Sequence, residues 1–294
     1  MPLDLDDRSR ASGPADTADG ADAHGITYRP FQTPEDGAAC VRLQLEIWGR
    51  SFDHVPASLL RVATMIGGLT IGAFDAQRDL VGFVFSLAGI RDGEPIHWSH
   101  MLGVREDVRG AGVGRHLKEM QRAELARRGI SRVLWTFDPL QARNAHLNFN
   151  RLGVRLIDYV ENMYGITASP LHHGLATDRL IVMLPTSPAA FPPAATANGA
   201  IGADGTAPIL TPFPRSGDLT VDIDDTSVPS VLIEIPTDLQ QLLASAPEVA
   251  GTWRLATRSS FLRAMRRGYE VTGLRREHAT NRAFYTLTAA SPTA

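Results

Sequence analysis

The sequence predicts an α/β (α+β) protein in which a mixed central sheet is flanked by helices and followed by a smaller α+β region. Three observations predict this class. Short β-branched and aromatic runs alternate with amphipathic helical patterns from residue 25 to 184. One apolar run, residues 96–104, leads through a glycine-rich loop straight into a helix. A proline-rich stretch then precedes a second α+β pattern.

The composition excludes several classes of protein. Hydrophobic residues make up 44% and charged residues 21%, as in ordinary soluble globular proteins. The net charge of −3 gives no basic field for a nucleic acid. The single cysteine, Cys40, excludes an intramolecular disulfide and a zinc cluster, and we expect it in the core. No apolar run approaches the roughly 20 residues of a membrane span, and no secretion signal opens the chain, so we expect a cytoplasmic protein.

Changes in composition divide the chain into four parts. Residues 1–24 carry almost no large apolar side chains, so we expect a disordered tail. Residues 25–184 form the larger domain. The Pro/Ala/Gly-rich residues 185–217 are predicted to be a linker, and residues 218–294 a small α+β C-terminal domain.

The elements of the larger domain follow from local patterns. After a strand at 26–31, Thr33 can cap a helix with Pro34 at its first position and Asp36 completing a capping box. This helix runs to Trp48, with its apolar face predicted at Val41, Leu45 and Trp48. The remaining elements are a helix after Pro56, strands at 69–74, 80–87 and 96–104, a helix from Val113 to Gly129, a strand at 132–137, a helix at 143–152 and strands at 155–163 and 179–184.

The C-terminal region repeats part of this order. Strands are predicted at 231–235, 269–274 and 283–287, and helices at 236–243 and 251–267. Helix, glycine, strand and strand also describe residues 143–184, so a decayed half-repeat is one interpretation. No glycine loop accompanies the second copy, and no second cofactor is expected. We expect this region to pack on the first domain or on a partner in a homodimer.

The glycine-rich loop carries the main functional signal. Gly110, Gly112 and Gly114 let backbone amides turn inward at a helix N-terminus, where free N–H groups and the helix dipole favour a phosphate. The spacing excludes a P-loop, because Arg115 and His116 follow Gly114, and it excludes the G-x-G-x-x-G dinucleotide fingerprint. The loop predicts a pyrophosphate-bearing ligand held by main chain. A glycine-rich connection without a ligand is the alternative.

The stretch LGVREDVRGAGVGRHL, residues 102–117, resembles the acyl-CoA signature Arg/Gln-x-x-Gly-x-Gly/Ala of the GNAT superfamily of N-acyltransferases, met at Arg109, Gly112 and Gly114. The resemblance covers about residues 26–184. The strings SHMLGV, WTFDPLQARNAH and GLATDRLIV resemble a poorly characterised subgroup of predicted acetyltransferases. The resemblance implies that two central parallel strands, 96–104 and 132–137, splay apart and admit the pantetheine of the cofactor.

The resemblance also implies which residues bind acetyl-CoA or another acyl-CoA. Main-chain groups of Leu102, Gly103 and Val104 would pair with the pantetheine amides, and Asn144 begins the helix that faces the pantetheine arm. The residues of the phosphate loop are Arg109, Gly110, Ala111, Gly112, Val113 and Gly114.

His100 is the candidate general base. Strand alternation places it on the face of Leu102 and Val104, and an imidazole titrates near neutral pH. A histidine packed at a sheet edge is the alternative. For the general acid, Phe149 stands where the family has a tyrosine, and it has no proton to donate. Either the thiolate leaves unaided or another group substitutes; Tyr164 and His146 are candidates, with structural or substrate-lining roles as their alternatives.

We therefore predict an acyl-CoA-dependent N-acyltransferase, with acetyl as the default acyl group and a primary amine of a small metabolite, such as an amino acid, as acceptor. Transfer would be direct in a ternary complex, because no acyl-enzyme nucleophile is evident. The alternatives are a non-catalytic acyl-CoA sensor, transfer from succinyl-CoA, and transfer to a protein lysine. We expect no metal, nucleic acid or membrane partner.

Overall fold

The computed structural model describes residues 21–51, 53–165, 174–187, 207–223 and 228–290, and all structural statements concern these ranges. Most of the predicted disordered tail, residues 1–20, lies outside them, as do residues 188–206 of the predicted linker. At the start of the described part, Asp22 accepts hydrogen bonds from the Ile26 N–H at 3.0 Å and from the Tyr28 hydroxyl at 3.0 Å. Residues 21–24 are therefore ordered by contact with the first strand.

Seven strands within the described ranges form a mixed sheet in the order β1-β2-β3-β4-β5-β7-β6. The strands are β1 (Thr27–Pro30), β2 (Leu69–Phe74), β3 (Leu80–Arg91), β4 (Glu94–Val104), β5 (Arg132–Phe137), β6 (Arg155–Val160) and β7 (Arg179–Pro185). The helices are α1 (Pro34–Trp48), α2 (Ala57–Met65), α3 (Val113–Arg127) and α4 (Ala142–Ala145), which continues as a π-helix (His146–Leu152). The predicted order of strands and helices is confirmed.

The two central parallel strands diverge, as the resemblance implied. β4 pairs with β5 only at His97↔Val133 and Trp98↔Leu134. Beyond Trp98, β4 keeps its antiparallel partner β3 as far as Val104 but pairs with no described strand on its other side. A gap therefore opens between the carboxyl-terminal parts of β4 and β5.

The sheet is covered on both faces. Val113 and Leu117 of α3 pack on one face with residues of the central strands. On the other face, Cys40 of α1 is completely buried with Phe85 and Met101, as predicted for a core thiol. We call these the α3 face and the α1 face. No helix within the described ranges is both long and apolar enough to cross a membrane.

The start of α1 is confirmed, but its predicted apolar face is wrong. Thr33 and Asp36 form the capping box, and Pro34 begins the helix. The helix is most buried along Gly37, Cys40, Leu43 and Gln44, whereas Val41, Leu45 and Trp48 are half-buried. The reason is α2, which approaches so closely that a Cβ on Gly37 would lie 3.3 Å from the Ala57 Cβ.

A second sheet with the order β10-β11-β9-β8 forms the C-terminal unit. Its strands are β8 (Ile209–Leu210), β9 (Ser230–Ile235), β10 (Tyr269–Glu277) and β11 (Arg282–Ala289), and its helices are α5 (Leu239–Ser245) and α6 (Pro247–Arg266). β8 lies in the predicted linker, which is a correction, because Ile209 pairs with Leu232 and gives the second sheet its edge. The C-terminal unit therefore begins before residue 218.

The half-repeat extends to the strand pairing. In the first sheet, β4 and β5 are parallel, and β7 lies between β5 and β6 with antiparallel partners on both sides. In the second, β8 and β9 are parallel, and β11 lies between β9 and β10 in the same way. The second copy has no helix equivalent to α3 among its described residues.

The two units share one hydrophobic core, so the C-terminal unit packs on the first domain. Phe149 on the π-helix packs edge-on against Tyr285 of β11 at 5.9 Å between ring centres. The Tyr285 hydroxyl donates a hydrogen bond of 2.7 Å to the Pro139 carbonyl. The Asn150 side chain exchanges two hydrogen bonds with the backbone of Leu274.

Candidate functional site

The gap beside β4 exposes a specific set of main-chain groups. The Arg105 N–H donates to the Val81 carbonyl on β3 at 2.8 Å. Because main-chain groups alternate along an antiparallel strand, those of Leu102 and Val104 point away from β3 and into the gap. A chain-like ligand could therefore pair with the main chain of Leu102 and with the Val104 N–H, whereas the Val104 carbonyl already accepts a hydrogen bond from Arg109 Nε at 3.1 Å.

Gly103 has a different position from the one expected. The same alternation directs its N–H and carbonyl to β3, so it is unsuited to pairing with a pantetheine. A Cβ at Gly103 would lie 2.7 Å from the Phe83 ring and 3.0 Å from the Ile47 side chain. The glycine is needed for the close packing of α1 on β4.

The glycine loop leads into an uncapped helix. Gly110 and Gly112 have φ values of 92° and 85°, which disfavour any side chain, and a Cβ on either would meet no atom within 4 Å. Gly112 is the N-cap of α3, and no side chain bonds the first turn. The N–H groups of this turn, which include those of Val113 and Gly114, therefore have no side-chain cap within the described residues and lie at the positive end of the helix dipole.

Packing fixes this helix end over the gap. The Val113 side chain is buried, and a Cβ on Gly114 would lie 3.5 Å from Val104 and 3.7 Å from Leu102. The Ala111 N–H donates to Val108 and so closes the loop before the helix. The helix N-terminus and the free edge of β4 are thus adjacent.

Arg109 and Asn144 are the two side chains that the sequence predicts to contact the ligand. The exposed Arg109 donates from Nε to the Val104 carbonyl at 3.1 Å and covers the end of β4. Asn144 is exposed on α4, which follows β5 across the gap. The roles of both side chains in binding stay predictions.

His100 does not lie on the predicted face. Phe85 pairs with Met101 and Ser86 with Ser99, so His100 is the extra residue of a β-bulge. Its ring packs edge-on against Phe85, at 6.1 Å between centres, on the α1 face. The bulge interrupts the alternation that would place His100 with Leu102 and Val104. Although the side chain reaches solvent, desolvation by the surrounding protein lowers the pKa of His100.

His97, on the same strand, is a structural residue. It is buried, and its Nδ1 lies 3.0 Å from the Ser86 hydroxyl. Burial, assisted by the charge of Arg128, lowers the pKa of His97 to about 4. The imidazole is therefore neutral at physiological pH and has no access to a substrate.

Tyr164 lies across the gap on the α1 face. Its hydroxyl is 3.3 Å from the Thr136 hydroxyl on β5, and its ring faces the Arg179 guanidinium at 5.3 Å. The side chain is half exposed, so it is accessible to a small molecule. Arg179 is mostly buried, donates to the Asp178 carbonyl and lies 3.7 Å from an Asp138 oxygen.

The segment that carries Tyr164 is held by Asp178. This buried carboxylate accepts hydrogen bonds from the Tyr159 hydroxyl at 2.6 Å, from the Asn162 N–H at 3.0 Å and from two nitrogens of Arg258 on α6. Burial alone would raise the pKa of Asp178, but these hydrogen bonds outweigh it and lower the pKa. The C-terminal unit thus supports one wall of the gap.

The end of β5 is held in the same way. Arg254 of α6 is 1% exposed and donates two hydrogen bonds, of 2.8 and 2.7 Å, to Asp138. The Asp138 carboxylate also accepts from the Leu140 N–H and so shapes the turn into α4. The sequence alone does not indicate this role of Asp138, because its partner Arg254 is 116 residues away.

Phe149 lies in the core rather than at the gap. It is 2% exposed and packs between Phe137 and Tyr285. His146, at the start of the π-helix, is half-buried, and burial together with Arg151 and Arg276 lowers its pKa. Neither residue supplies an evident proton donor at the free edge of β4.

Sequence reasoning missed Lys118 of α3. Its ammonium group donates to the Ser99 hydroxyl at 2.7 Å and to the Gln121 side chain at 3.3 Å, and it lies 3.8 Å from the centre of the Trp135 ring. Burial lowers the pKa of Lys118 to about 7. The available signal was compositional, because Lys118 is the only lysine in a chain with 29 basic residues.

No protein-family model and no curated protein matches the chain. Among solved structures, it is similar to a NatC complex bound to Gag peptide and CoA, with 17% identity over 54% of this chain and 98% of that chain and a TM-score of 0.46. It is also similar to the ribosomal-protein-S18-alanine N-acetyltransferase from Escherichia coli, with 19% identity over 55% and 94% and a TM-score of 0.45. A third is an aminoglycoside 6'-acetyltransferase type Ii, with 18% identity over 55% and 98% and a TM-score of 0.45.

The order of elements, the divergence of β4 and β5 and the glycine loop at the mouth of the gap are the features that the resemblance of residues 102–117 implied.

Proposed function

We propose that this chain is an acyl-CoA-dependent N-acyltransferase that transfers an acyl group, acetyl by default, to a primary amine of a small metabolite such as an amino acid. The observation that carries the proposal is the free edge of β4 beside the uncapped N-terminus of α3. One site thus offers main-chain groups for an amide-containing arm and N–H groups for a pyrophosphate.

The residues present fit the co-substrate. Gly110 and Gly112 leave the N–H groups of the loop uncovered, because a Cβ would meet nothing there. Leu102 and Val104 point main-chain groups into the gap, which is what pairing with pantetheine amides requires. Arg109 beside Val104 would contribute charge, and the exposed Asn144 on α4 would contribute hydrogen bonding.

The α1 face supplies the groups for the acceptor. His100 at the bulge would take a proton from the ammonium of the acceptor, and its lowered pKa keeps it neutral and able to do so at pH 7. Tyr164 and Arg179 would orient the acceptor, with the guanidinium suited to a carboxylate. Attack on the thioester is then direct, since the one cysteine, Cys40, is a buried residue of α1.

Binding of CoA is tested with Gly112→Asp. Asp is disfavoured at a φ of 85° and would place a carboxylate at the anion site, so CoA affinity should fall at least about tenfold, as measured by calorimetry. Gly129→Asp is the matched control, because Gly129 has a φ of 75°, meets nothing within 4 Å and follows the opposite end of α3. Equal CoA affinity in the two variants would contradict the proposed site.

Turnover is tested by the release of free CoA thiol from acetyl-CoA and succinyl-CoA in the presence of amino acids and other amines. A non-catalytic acyl-CoA sensor is the second candidate, favoured by the burial of Phe149 at the position of the family's acid. Tight CoA binding without turnover on any amine would favour the sensor. Turnover only on a lysine-containing peptide would favour a protein acceptor.

A further inference from the structure

Lys118 lies where β4 and β5 part. The last paired residues are Trp98 and Leu134, so Ser99 and Trp135 are the first residue of each strand beyond the pairing. Lys118 of α3 touches both, with its ammonium 2.7 Å from the Ser99 hydroxyl and 3.8 Å from the centre of the Trp135 ring. The amine therefore closes the inner end of the gap on the α3 face.

We infer that Lys118 is a catalytic residue that donates a proton to the sulfur of the departing CoA. This inference rests on the proposed function. The inference assigns to Lys118 the acid role that Phe149 is unable to perform. It depends on the position of the amine at the inner end of the gap and on the finding that no carboxylate of the described residues pairs with it.

The composition supports a role that requires an amine. Apart from Lys118, the 29 lysine and arginine positions of the chain are all arginines, including those on α3 and α6 and in the ion pairs among the described residues. Arginine makes stronger bidentate contacts, but its guanidinium does not give up a proton in proteins. The single lysine of the chain therefore occupies a buried position where its amine can give up a proton, as an arginine could not.

The surroundings keep the amine titratable. From β4, Ser99 accepts its hydrogen bond, and His97 is a neutral imidazole on the same face; from α3 it meets Gln121, and from β5 the Trp135 ring. No carboxylate within the described ranges forms an ion pair with it. Desolvation is thus the cause that lowers its pKa to about 7, which suits proton transfer near neutral pH.

The proposed step is balanced. The neutral amine of the acceptor forms a bond to the thioester carbon, and the bond from that carbon to sulfur breaks. The sulfur takes a proton from the Lys118 ammonium and leaves as the thiol. The acceptor nitrogen loses its remaining excess proton, and one proton returns to Lys118 through solvent. No oxidant or reductant takes part.

The ionisation of Lys118 can be followed directly, because the chain has one lysine. Full-length protein labelled with ¹³C at the lysine ε-carbon should give a single side-chain NMR signal. We expect this signal to titrate near pH 7 and to shift when CoA is added, whereas desulfo-CoA should perturb it less. The inference would be overturned by a signal that titrates near the ordinary lysine value of about 10.4, or by a signal whose chemical shift does not change when CoA is added.

The chemical role is tested by the leaving group. Lys118→Met and Lys118→Arg should lower the turnover of acetyl-CoA by about 100-fold. With an acetyl donor that carries selenium in place of the CoA sulfur, the loss should be much smaller, because a selenolate leaves without protonation. Leu125→Met, a buried control on the same helix, should change the turnover of the sulfur and selenium donors by the same factor.

The outcomes separate this inference from the proposed function. If the unaltered protein turns over no acyl-CoA, the proposed function fails, while the NMR titration still reports whether Lys118 is titratable and senses CoA. If turnover occurs but the Lys118 variants lose equal activity with both donors, or lose none, the proton-donor role is wrong.

Discussion

At the scale of single residues, desolvation lowers the pKa of two histidines and one lysine around the gap. His97 and His100 on β4 have lowered pKa values because the protein desolvates them, and Lys118 has a pKa of about 7 for the same reason. Two neutral imidazoles and an amine near its midpoint are therefore close to the strand that would bind the acyl donor. A proposed proton acceptor, His100, and a proposed proton donor, Lys118, lie on opposite faces of the sheet.

The role of His100 gives a pH dependence with a defined sign. A base acts in its neutral form, and the pKa of His100 is lowered, so the acid side of the kcat/KM profile should fall below the pH range of an ordinary histidine, while deprotonation of Lys118 should lower the alkaline side. His100→Gln should remove this acid limb and lower kcat by about 100-fold while CoA affinity is unchanged. The measurement is a pH–rate profile of both proteins. A variant with the same profile as the unaltered protein would exclude His100 as the base.

Individual residues show which features can be predicted from the sequence and which cannot. The capping box of Thr33 and Asp36 depends on three neighbouring positions and was predicted correctly. The face of His100 was predicted wrongly, because the bulge arises from the pairing of β4 with β3. Lys118 was missed, because the contacts that bury it come from two strands that are distant in the sequence.

At the scale of elements, α6 connects the C-terminal unit to the walls of the gap. Arg254 and Arg258, one helical turn apart, each bind a carboxylate of the first sheet with two nitrogens. Asp138 ends β5, and Asp178 holds the segment that carries Tyr164. Charge-assisted bidentate pairs of this kind fix orientation as well as distance.

Arg258→Met tests whether α6 positions the acceptor wall. Loss of the two hydrogen bonds to Asp178 should destabilise the protein by about 2–3 kcal/mol and loosen the segment around Tyr164. We expect a higher KM for the amine with an unchanged CoA affinity, measured by steady-state kinetics and calorimetry.

The matched control for this prediction is Arg263→Met. Arg263 is on the same helix and pairs with Asp222 in the C-terminal unit, away from the gap. It should leave the KM for the amine unchanged. If both variants raise this KM equally, the effect comes from α6 as a whole and not from its contact with Asp178.

The helices and strands also show which features cannot be predicted from a local sequence pattern. Strongly periodic elements such as α3 and β5 were placed within a few residues. The two-residue strand β8 was interpreted as linker, because its only strand-like property is the pairing of Ile209 with Leu232. The π-helix was interpreted as an α-helix, because the sequence pattern of the two is nearly the same over seven residues.

At the scale of the whole molecule, the first sheet depends on the second for its core. The buried cluster on the α3 face contains residues of both sheets, and Phe149 and Phe261 both pack against Tyr285. Arg254 and Asp138 are buried together, so removing one would leave an unpaired charge in the interior. The half-repeat is thus a structural support for the domain that contains the gap.

This dependence predicts the behaviour of separated halves. Residues 1–187 expressed alone should be insoluble or molten, because Phe149 and Asp138 lose the partners that cover them. Co-expression with residues 207–294 as a second chain should give a soluble one-to-one complex that binds CoA, since the contacts between the halves are extensive and specific. Size-exclusion chromatography with light scattering measures the complex, and calorimetry measures CoA binding. A stable, CoA-binding fragment 1–187 would contradict the shared core, and we would then assign the C-terminal unit a role outside the stability of the first sheet.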